Sequence, residues 1–360
     1  MRRTPLLDVQ TERGPLWLKC ENLQPMGAFK LRGATNMLAQ LSEKERRAGV
    51  VTYSSGNHGL AVAVAARALG THAVVTVPET IAQVKLDGMR RAGAEVIYAG
   101  TTVIDRRRRA DQEVVSRGLT MVPPFDHPWI IAGQGTTGLE ILEQQPDVST
   151  VYVPIGGGGL ASGVATALKL SRPGVRVIGV EPAGAPKVTH SLAAGHPVTL
   201  DRTASIADGL LSLRPGELAF AHLQRYLDAV VTIEEDDIAA AVRWLFSEAR
   251  LVAEPSGAVS VAAALAGSAV EPPGLPRPSM GPGVQQPSIY ESHVHPEVLE
   301  SGRQFAGRDP RLVRRSRGEG GSGPGNAGPA GAVVAIVSGG NVDPERYIDC
   351  LRPISPEPSP

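Results

Sequence analysis

Thr150-Val151-Tyr152-Val153-Pro154-Ile155-Gly156-Gly157-Gly158-Gly159-Leu160 is the stretch on which the fold turns. A short β-branched run feeds four consecutive glycines, and residues 160–170 after them read as a helix. Without Cβ atoms, several N–H groups of such a turn can face one anion, and the helix dipole adds to the attraction. The plain alternative is a flexible tight turn. No Lys-Ser/Thr pair follows and the spacing is not G-x-G-x-x-G, so a nucleoside triphosphate site and a dehydrogenase are disfavoured.

The same alternation runs outward in both directions. Residues 14–20, 49–53, 72–78, 95–98, 150–154, 175–180 and 332–337 read as strands. Helices are predicted over 30–41, 42–48, 58–69, 80–92, 101–117, 135–145, 160–170, 186–193, 216–227, 235–249 and 254–265. Gly70, Gly93 and Gly118 stand where three of them should stop. Strands alternating with helices argue an α/β fold with parallel sheets. Continuous rather than alternating apolar strands agree, because parallel strands are buried on both faces. Residues 268–331 break the pattern: rich in Gly, Pro, Ser and Arg, they read as a disordered insertion without a function of its own.

A chain of 360 residues fits two domains, or one large α/β domain with an insertion. Lys+Arg and Asp+Glu both number 36, which leaves no electrostatic footprint for nucleic acid or an anionic membrane. The run Arg106-Arg107-Arg108-Arg109 reads as a solvated helix face. The 2 cysteines, Cys20 and Cys350, are far apart and give neither a disulfide framework nor metal spacing, which favours a reducing compartment. Met1-Arg2-Arg3-Thr4-Pro5 lacks the apolar run of a secretory signal, and no apolar run is long enough to span a bilayer. These features lead us to expect a soluble cytoplasmic protein.

Three further stretches combine with the glycines. In Pro25-Met26-Gly27-Ala28-Phe29-Lys30-Leu31-Arg32-Gly33-Ala34 a single lysine opens a helical run. Taken alone, Lys30 is an ordinary solvated helix-start cation. Ser54-Ser55-Gly56-Asn57-His58-Gly59 is a strand-to-helix turn with hydroxyls and an amide, suited to a carboxylate or simply to capping. Val337-Ser338-Gly339-Gly340-Asn341 follows a buried strand. Together they supply what one chemistry needs: an amine for an aldehyde cofactor, a phosphate cradle and hydrogen bonds to a ring.

In chain order, several strings resemble the fold type II (tryptophan synthase β-like) pyridoxal-phosphate enzymes, specifically the threonine/serine dehydratase and serine racemase group. They are Phe29 to Ala34, the Ser54–Gly59 turn, Ala132-Gly133-Gln134-Gly135-Thr136, the glycine turn, Ile206-Ala207-Asp208-Gly209, Glu254-Pro255-Ser256-Gly257 and the terminal serine loop. The resemblance runs from about Thr4 to Arg352, apart from the insertion. It implies two three-layer α/β domains with mostly parallel sheets and pyridoxal 5′-phosphate in the cleft between them. Residues 1–42 and 130–360 would form the large domain, and 43–129 a smaller one inserted in it.

The resemblance also implies roles. Lys30 would hold the cofactor aldehyde as an imine and shuttle the α-proton, with Phe29 packed beside the ring. Asn57 would bond the ring hydroxyl. Gly156, Gly157, Gly158, Gly159 and Leu160 would hold the phosphate. Ser338 would face the pyridine nitrogen, where a neutral partner leaves the ring a poorer electron sink and favours β-elimination. Ser54, Ser55 and His58 would surround the carboxylate of a small amino-acid substrate, and Ser55 would double as an acid/base opposite Lys30. The implied activity is an L-threonine/L-serine ammonia-lyase, with serine racemase, hydroxyaspartate dehydratase or a non-catalytic cofactor-binding protein as alternatives. A homodimer without an isoleucine-type feedback domain is also implied.

Two positions depart from the group. Ala28 stands where many relatives carry Ser. Serine racemases and hydroxyaspartate dehydratases build a divalent-ion site from a Glu, a backbone carbonyl and an Asp. Here Glu181 and Ala185 fit the first two, but Lys187 takes the third position, so no metal site and no Mg²⁺ requirement is expected.

Overall fold

The computed structural model describes residues 1–81, 83–267 and 331–352. Its strands form two sheets. Strands β1 (Leu6–Thr11), β2 (Gly14–Cys20), β7 (Val148–Pro154), β8 (Arg176–Pro182), β9 (Ala229–Ile233) and β10 (Ala332–Val337) make a six-stranded sheet in the order β1-β2-β10-β7-β8-β9. Strands β3 (Val50–Tyr53), β4 (Ala73–Val77), β5 (Glu95–Tyr98) and β6 (Thr120–Met121) make a four-stranded sheet in the order β5-β4-β3-β6. Among the strands of the described residues, only the β1–β2 hairpin is antiparallel; the other strand pairings are parallel. The central strands are buried along nearly their whole length, β4 at all five positions. That burial explains their unbroken Val/Ile sequences.

Helices α1 (Lys30–Ala39), α2 (Glu43–Ala48), α3 (Asn57–Ala68), α4 (Gln83–Arg91), α5 (Val103–Arg117) and α6 (Pro128–Gln144) come first in the chain. Helices α7 (Gly159–Ser171), α8 (Lys187–Ala194), α9 (Glu217–Tyr226), α10 (Glu235–Ser247), α11 (Pro255–Ala266) and α12 (Pro344–Leu351) follow. Among the described residues none is long and apolar enough to cross a membrane. In α5, Arg107 and Arg108 are exposed, and Arg107 pairs with Asp111 at 2.9 Å, whereas Arg106 and Arg109 are half-buried, so only part of the run is a solvated face. Cys20 is buried and Cys350 half-buried, and both are free thiols.

Some expectations need correction. Helix α6 begins at Pro128, not at 135. Pro at the first turn costs no hydrogen bond, and the His127 ring accepts from the Trp129 N–H at 3.2 Å. Gly133 and Gly135 are packing glycines. A Cβ on Gly133 would sit 2.7 Å from the Arg32 carbonyl oxygen, and one on Gly163 of α7 would strike the Ile131 carbonyl. Strands β1, β6 and β9 and helix α12 were not foreseen. The first is an amphipathic edge, the second has only two residues, and the third lies in a short gap between helices. The insertion expected over 268–331 lies, except for Gly331, outside the described residues.

The helix that carries Lys30 is anchored by a buried charge group. Arg32, without solvent exposure, forks onto Glu21 (2.7 and 2.8 Å) and onto Glu140 (2.7 Å twice). Lys19, also unexposed, bonds Glu140 at 2.6 Å, the Thr4 carbonyl at 2.8 Å and Gln144 at 2.7 Å. The group ties β2, α1 and α6 together. Burial opposes the Arg32 charge, but hydrogen bonds to Glu21 and Glu140 outweigh it and raise its pKa.

Candidate active site

Lys30 is the first residue of α1, and three segments converge on it. The loop after β10 lies along residues 26–29. The Phe29 N–H donates to the Ser338 carbonyl at 3.0 Å and the Gly340 N–H to the Gly27 carbonyl at 2.9 Å. Asn341 Nδ2 donates to the Met26 carbonyl at 2.8 Å. Gly27 has φ +84°, and a Cβ there would strike the Asn341 amide, so this close approach requires glycine. Lys30 Nζ lies 5.1 Å from the Phe29 ring centroid and donates to the Pro124 carbonyl at 2.8 Å. Burial lowers its pKa to about 8, against the pull of the Glu254 charge. Such an amine is neutral far more often at physiological pH than an ordinary lysine.

The turn after β3 supplies the second group. The Ser54 hydroxyl accepts from the Gly56 N–H at 3.2 Å, and Ser55 is half-buried beside it. Asn57, the first residue of α3, bridges two distant segments. Its Nδ2 donates to Glu254 at 2.7 Å, and its Oδ1 accepts from Asn341 Nδ2 at 2.9 Å. His58 is buried, with Nε2 3.0 Å from the Val122 carbonyl. Burial and then the Lys30 charge push its pKa down to about 3, so its ring is neutral at any working pH.

The third group is the glycine turn. Gly158 has φ +103° and precedes α7, whose first N–H groups have no acceptor within the helix. A Cβ on Gly157 would strike the Phe125 ring, and one on Gly159 would lie 2.9 Å from Phe125 Cβ. A Cβ on Gly156 would meet the Gly209 carbonyl at 3.1 Å. Close packing of Phe125, Gly209 and Ala219 thus requires glycine through this turn. Leu160 is buried in the first turn of α7. Ser338 is buried after β10, its hydroxyl 3.4 Å from the Ser256 carbonyl.

Two residues here escaped the sequence reading. Glu254 was part of a matching string but had no role. It lies 197 positions from its partner Asn57. Burial, then the charge of Asp208, raises its pKa to about 8, opposed by the Asn57 hydrogen bond and by Lys85 and Lys30. Phe125 was given no role, yet its ring lies against the glycines. A Pro-Pro-Phe-Asp run in which Asp126 caps α9 through the Glu217 and Ala219 N–H groups (3.0 and 2.9 Å) was the available signal.

A family profile described as "Pyridoxal-phosphate dependent enzyme" matches residues 1–277. The chain belongs to that family. It is 44% identical over 252 residues to the L-threonine ammonia-lyase of Thermotoga maritima, a match covering 70% of this chain and 63% of that protein. Its fold superposes on the processed threonine deaminase isoform 2 of Solanum lycopersicum with a TM-score of 0.77 and 33% identity, covering 97% of this chain and 82% of that one. Maize serine racemase gives a TM-score of 0.77 at 31% identity, covering 97% and 91%. The chain spans 51%, 63% and 48% of the length of three curated threonine-dehydratase-type relatives it matches. The fold is the mostly parallel α/β fold of this family.

The cofactor of the family is pyridoxal 5′-phosphate, and the residues present fit it. The side-chain-free glycine turn at a helix N-terminus suits a phosphate. A lysine with a lowered pKa beside an aromatic ring suits an aldehyde.

Proposed function

We propose that the protein is an L-threonine/L-serine ammonia-lyase that removes water and then ammonia from the amino acid, giving a 2-oxo acid. The observation that carries this reading is the convergence of the Lys30 amine, with its pKa near 8, the Asn57 amide and the uncharged Ser338. The threonine ammonia-lyase and threonine deaminase names among the relatives support it.

When bound, the cofactor supplies a sink for electrons leaving the substrate α-carbon. Lys30 Nζ holds the cofactor in the resting protein and takes the α-proton during turnover. Phe29 would pack beside the ring of the bound cofactor. Asn57 has one Nδ2 hydrogen left that would serve the ring hydroxyl. The N–H groups from Gly156 to Leu160 would hold the phosphate. Ser338 would offer the ring nitrogen a neutral hydroxyl, which would make the ring a weaker sink and favour prompt loss of the β-hydroxyl. Ser54, Ser55 and neutral His58 bind and orient the substrate carboxylate. The β-hydroxyl leaves as water, and the released enamine takes up water to give the 2-oxo acid and ammonia.

Racemisation is the second reading, favoured by the Ser55 hydroxyl as a second acid/base and by the likeness to maize serine racemase. We assign 43–129 as the smaller domain, with strands β3 to β6 as its sheet. The free thiols support a reducing, cytoplasmic setting. The resemblance carries a homodimer with it, which light scattering tests.

Incubation with L-threonine and L-serine separately, followed by 2-oxo acid measurement and chiral analysis, tests the reading. A 2-oxo acid that disappears in Lys30→Ala supports the lyase and ranks the substrates. D-serine from L-serine without 2-oxo acid assigns the racemase, and neither product points to cofactor binding alone.

A further inference from the structure

The Lys187 ammonium sits where a bound metal ion would be expected to sit. Lys187 opens α8 and has no solvent exposure. Its Nζ lies 3.0 Å from the carbonyl oxygens of Ile155, Ala185 and Leu210, and 3.1 Å from Glu181 Oε1. Four oxygens share three N–H groups, the surroundings of a bound cation rather than of a snorkelling side chain.

The oxygens come from separate places. Glu181 stands near the end of β8 and Ala185 in the loop after it. Ile155 immediately precedes Gly156. Leu210 closes the short turn Asp208–Leu210, whose Gly209 carbonyl faces Gly156. One ammonium therefore ties the base of the glycine turn to the segment packed against it.

A divalent ion does not fit alongside it. Calcium takes oxygens at about 2.3–2.6 Å and magnesium at about 2.0–2.1 Å, whereas the centre here is filled by nitrogen. Glu181 is also engaged elsewhere, accepting from the Val188 and Thr189 N–H groups at 2.9 Å and from the Thr189 hydroxyl at 3.0 Å. Its charge is matched by the single positive charge of Lys187.

We propose that Lys187 is the resident cation of this site, a positioning residue that sets the glycine turn for the cofactor phosphate. We further propose that a chain stripped of its ammonium takes up potassium or ammonium ion in its place. Removal leaves three carbonyls and a buried carboxylate without a counter-charge, and rings of carbonyls are known hosts for potassium. The inference does not depend on which amino acid is the substrate.

The test compares the wild type with Lys187→Ala at equal ionic strength in tetramethylammonium, potassium and ammonium chlorides. Pyridoxal 5′-phosphate affinity of the apoprotein and its Tm are the readouts, so failure here is separate from failure of the lyase reading. The wild type is expected to bind the cofactor equally in all three salts, and equally with EDTA or MgCl₂. Lys187→Ala should bind roughly tenfold more weakly or worse in tetramethylammonium. It should recover both affinity and Tm in potassium or ammonium. Wild-type dependence on MgCl₂ overturns the resident-cation assignment. So does a variant that binds like the wild type in every salt. A variant that stays weak or insoluble in every salt overturns the replacement of the ammonium by a free ion.

Discussion

Two buried charge groups sit two residues apart on one helix, and they are built in opposite ways. Around Arg32 the charges are matched: the guanidinium meets two carboxylates, and Lys19 completes the set. Burial pushes the Glu140 pKa up, but the hydrogen bonds and charges of Arg32 and Lys19 together outweigh it and hold the pKa below the usual carboxylate range. Around Lys30 the pairing is thin. Its ammonium donates to one carbonyl, and Glu254 accepts from one amide. Burial therefore wins, and both groups are moved to about 8, Lys30 from above and Glu254 from below. The matched group holds shape and the undermatched one is ready to exchange protons, which is how functional sites depart from structural ones.

Breaking the undermatched side should have the largest effect. Lys30→Ala is expected to lower 2-oxo acid formation by about 10³-fold or more, with Tm little changed because only one hydrogen bond is lost. A Tm fall comparable to that of Arg32→Ala would erase the contrast.

Breaking the matched side should do the reverse. Arg32→Ala leaves Glu21 buried without its partner, a loss of about 3–5 kcal/mol, read as a large fall in Tm. Lys19 remains to serve Glu140. Arg32→Lys should recover little, since an ammonium cannot fork onto two carboxylates.

A pH series sharpens the comparison without breaking either side. The folded-state pKa of Glu254 is raised, so its contribution to stability is full below the ordinary carboxylate range and declines as pH rises through about 8. That of Lys30 is lowered, so its contribution is full above the ordinary lysine range and declines as pH falls through about 8. Between them the two groups place a minimum in apoprotein stability near pH 8. Subtracting the Glu254→Gln profile should isolate the declining limb, and subtracting Lys30→Met the rising one. Parallel profiles for all three proteins would refute the assignment.

The smallest effect is expected at the surface. Arg107→Ala removes an exposed pair with Asp111 and should change stability by no more than about 0.5 kcal/mol. Urea unfolding measures it.

What the sequence made legible follows the same division. Lys30, the Ser54–His58 turn, the glycines and Ser338 stand at strand ends or helix starts, where local chemistry is visible along the chain. Glu254 facing Asn57, and Glu21 and Glu140 facing Arg32, are pairings between distant segments that no periodicity encodes. The strand order was equally hidden. Nothing local says that β10 enters between β2 and β7, and β9 was too short a run between helices to stand out.

The position of β10 governs when the larger sheet can be joined during synthesis. Strands β2 and β7 lie next to each other in the sheet only through β10, which bonds to both. Until residues 332–337 leave the ribosome, the nascent chain carries two unpaired strand edges facing each other across a slot. It also lacks the Ser338 carbonyl that receives the Phe29 N–H. Pairings this distant in sequence are slow to form and leave edges open to wrong partners. A strand made long after β2 and β7 thus joins the halves of the larger sheet, and the lysine's surroundings are completed only when it arrives.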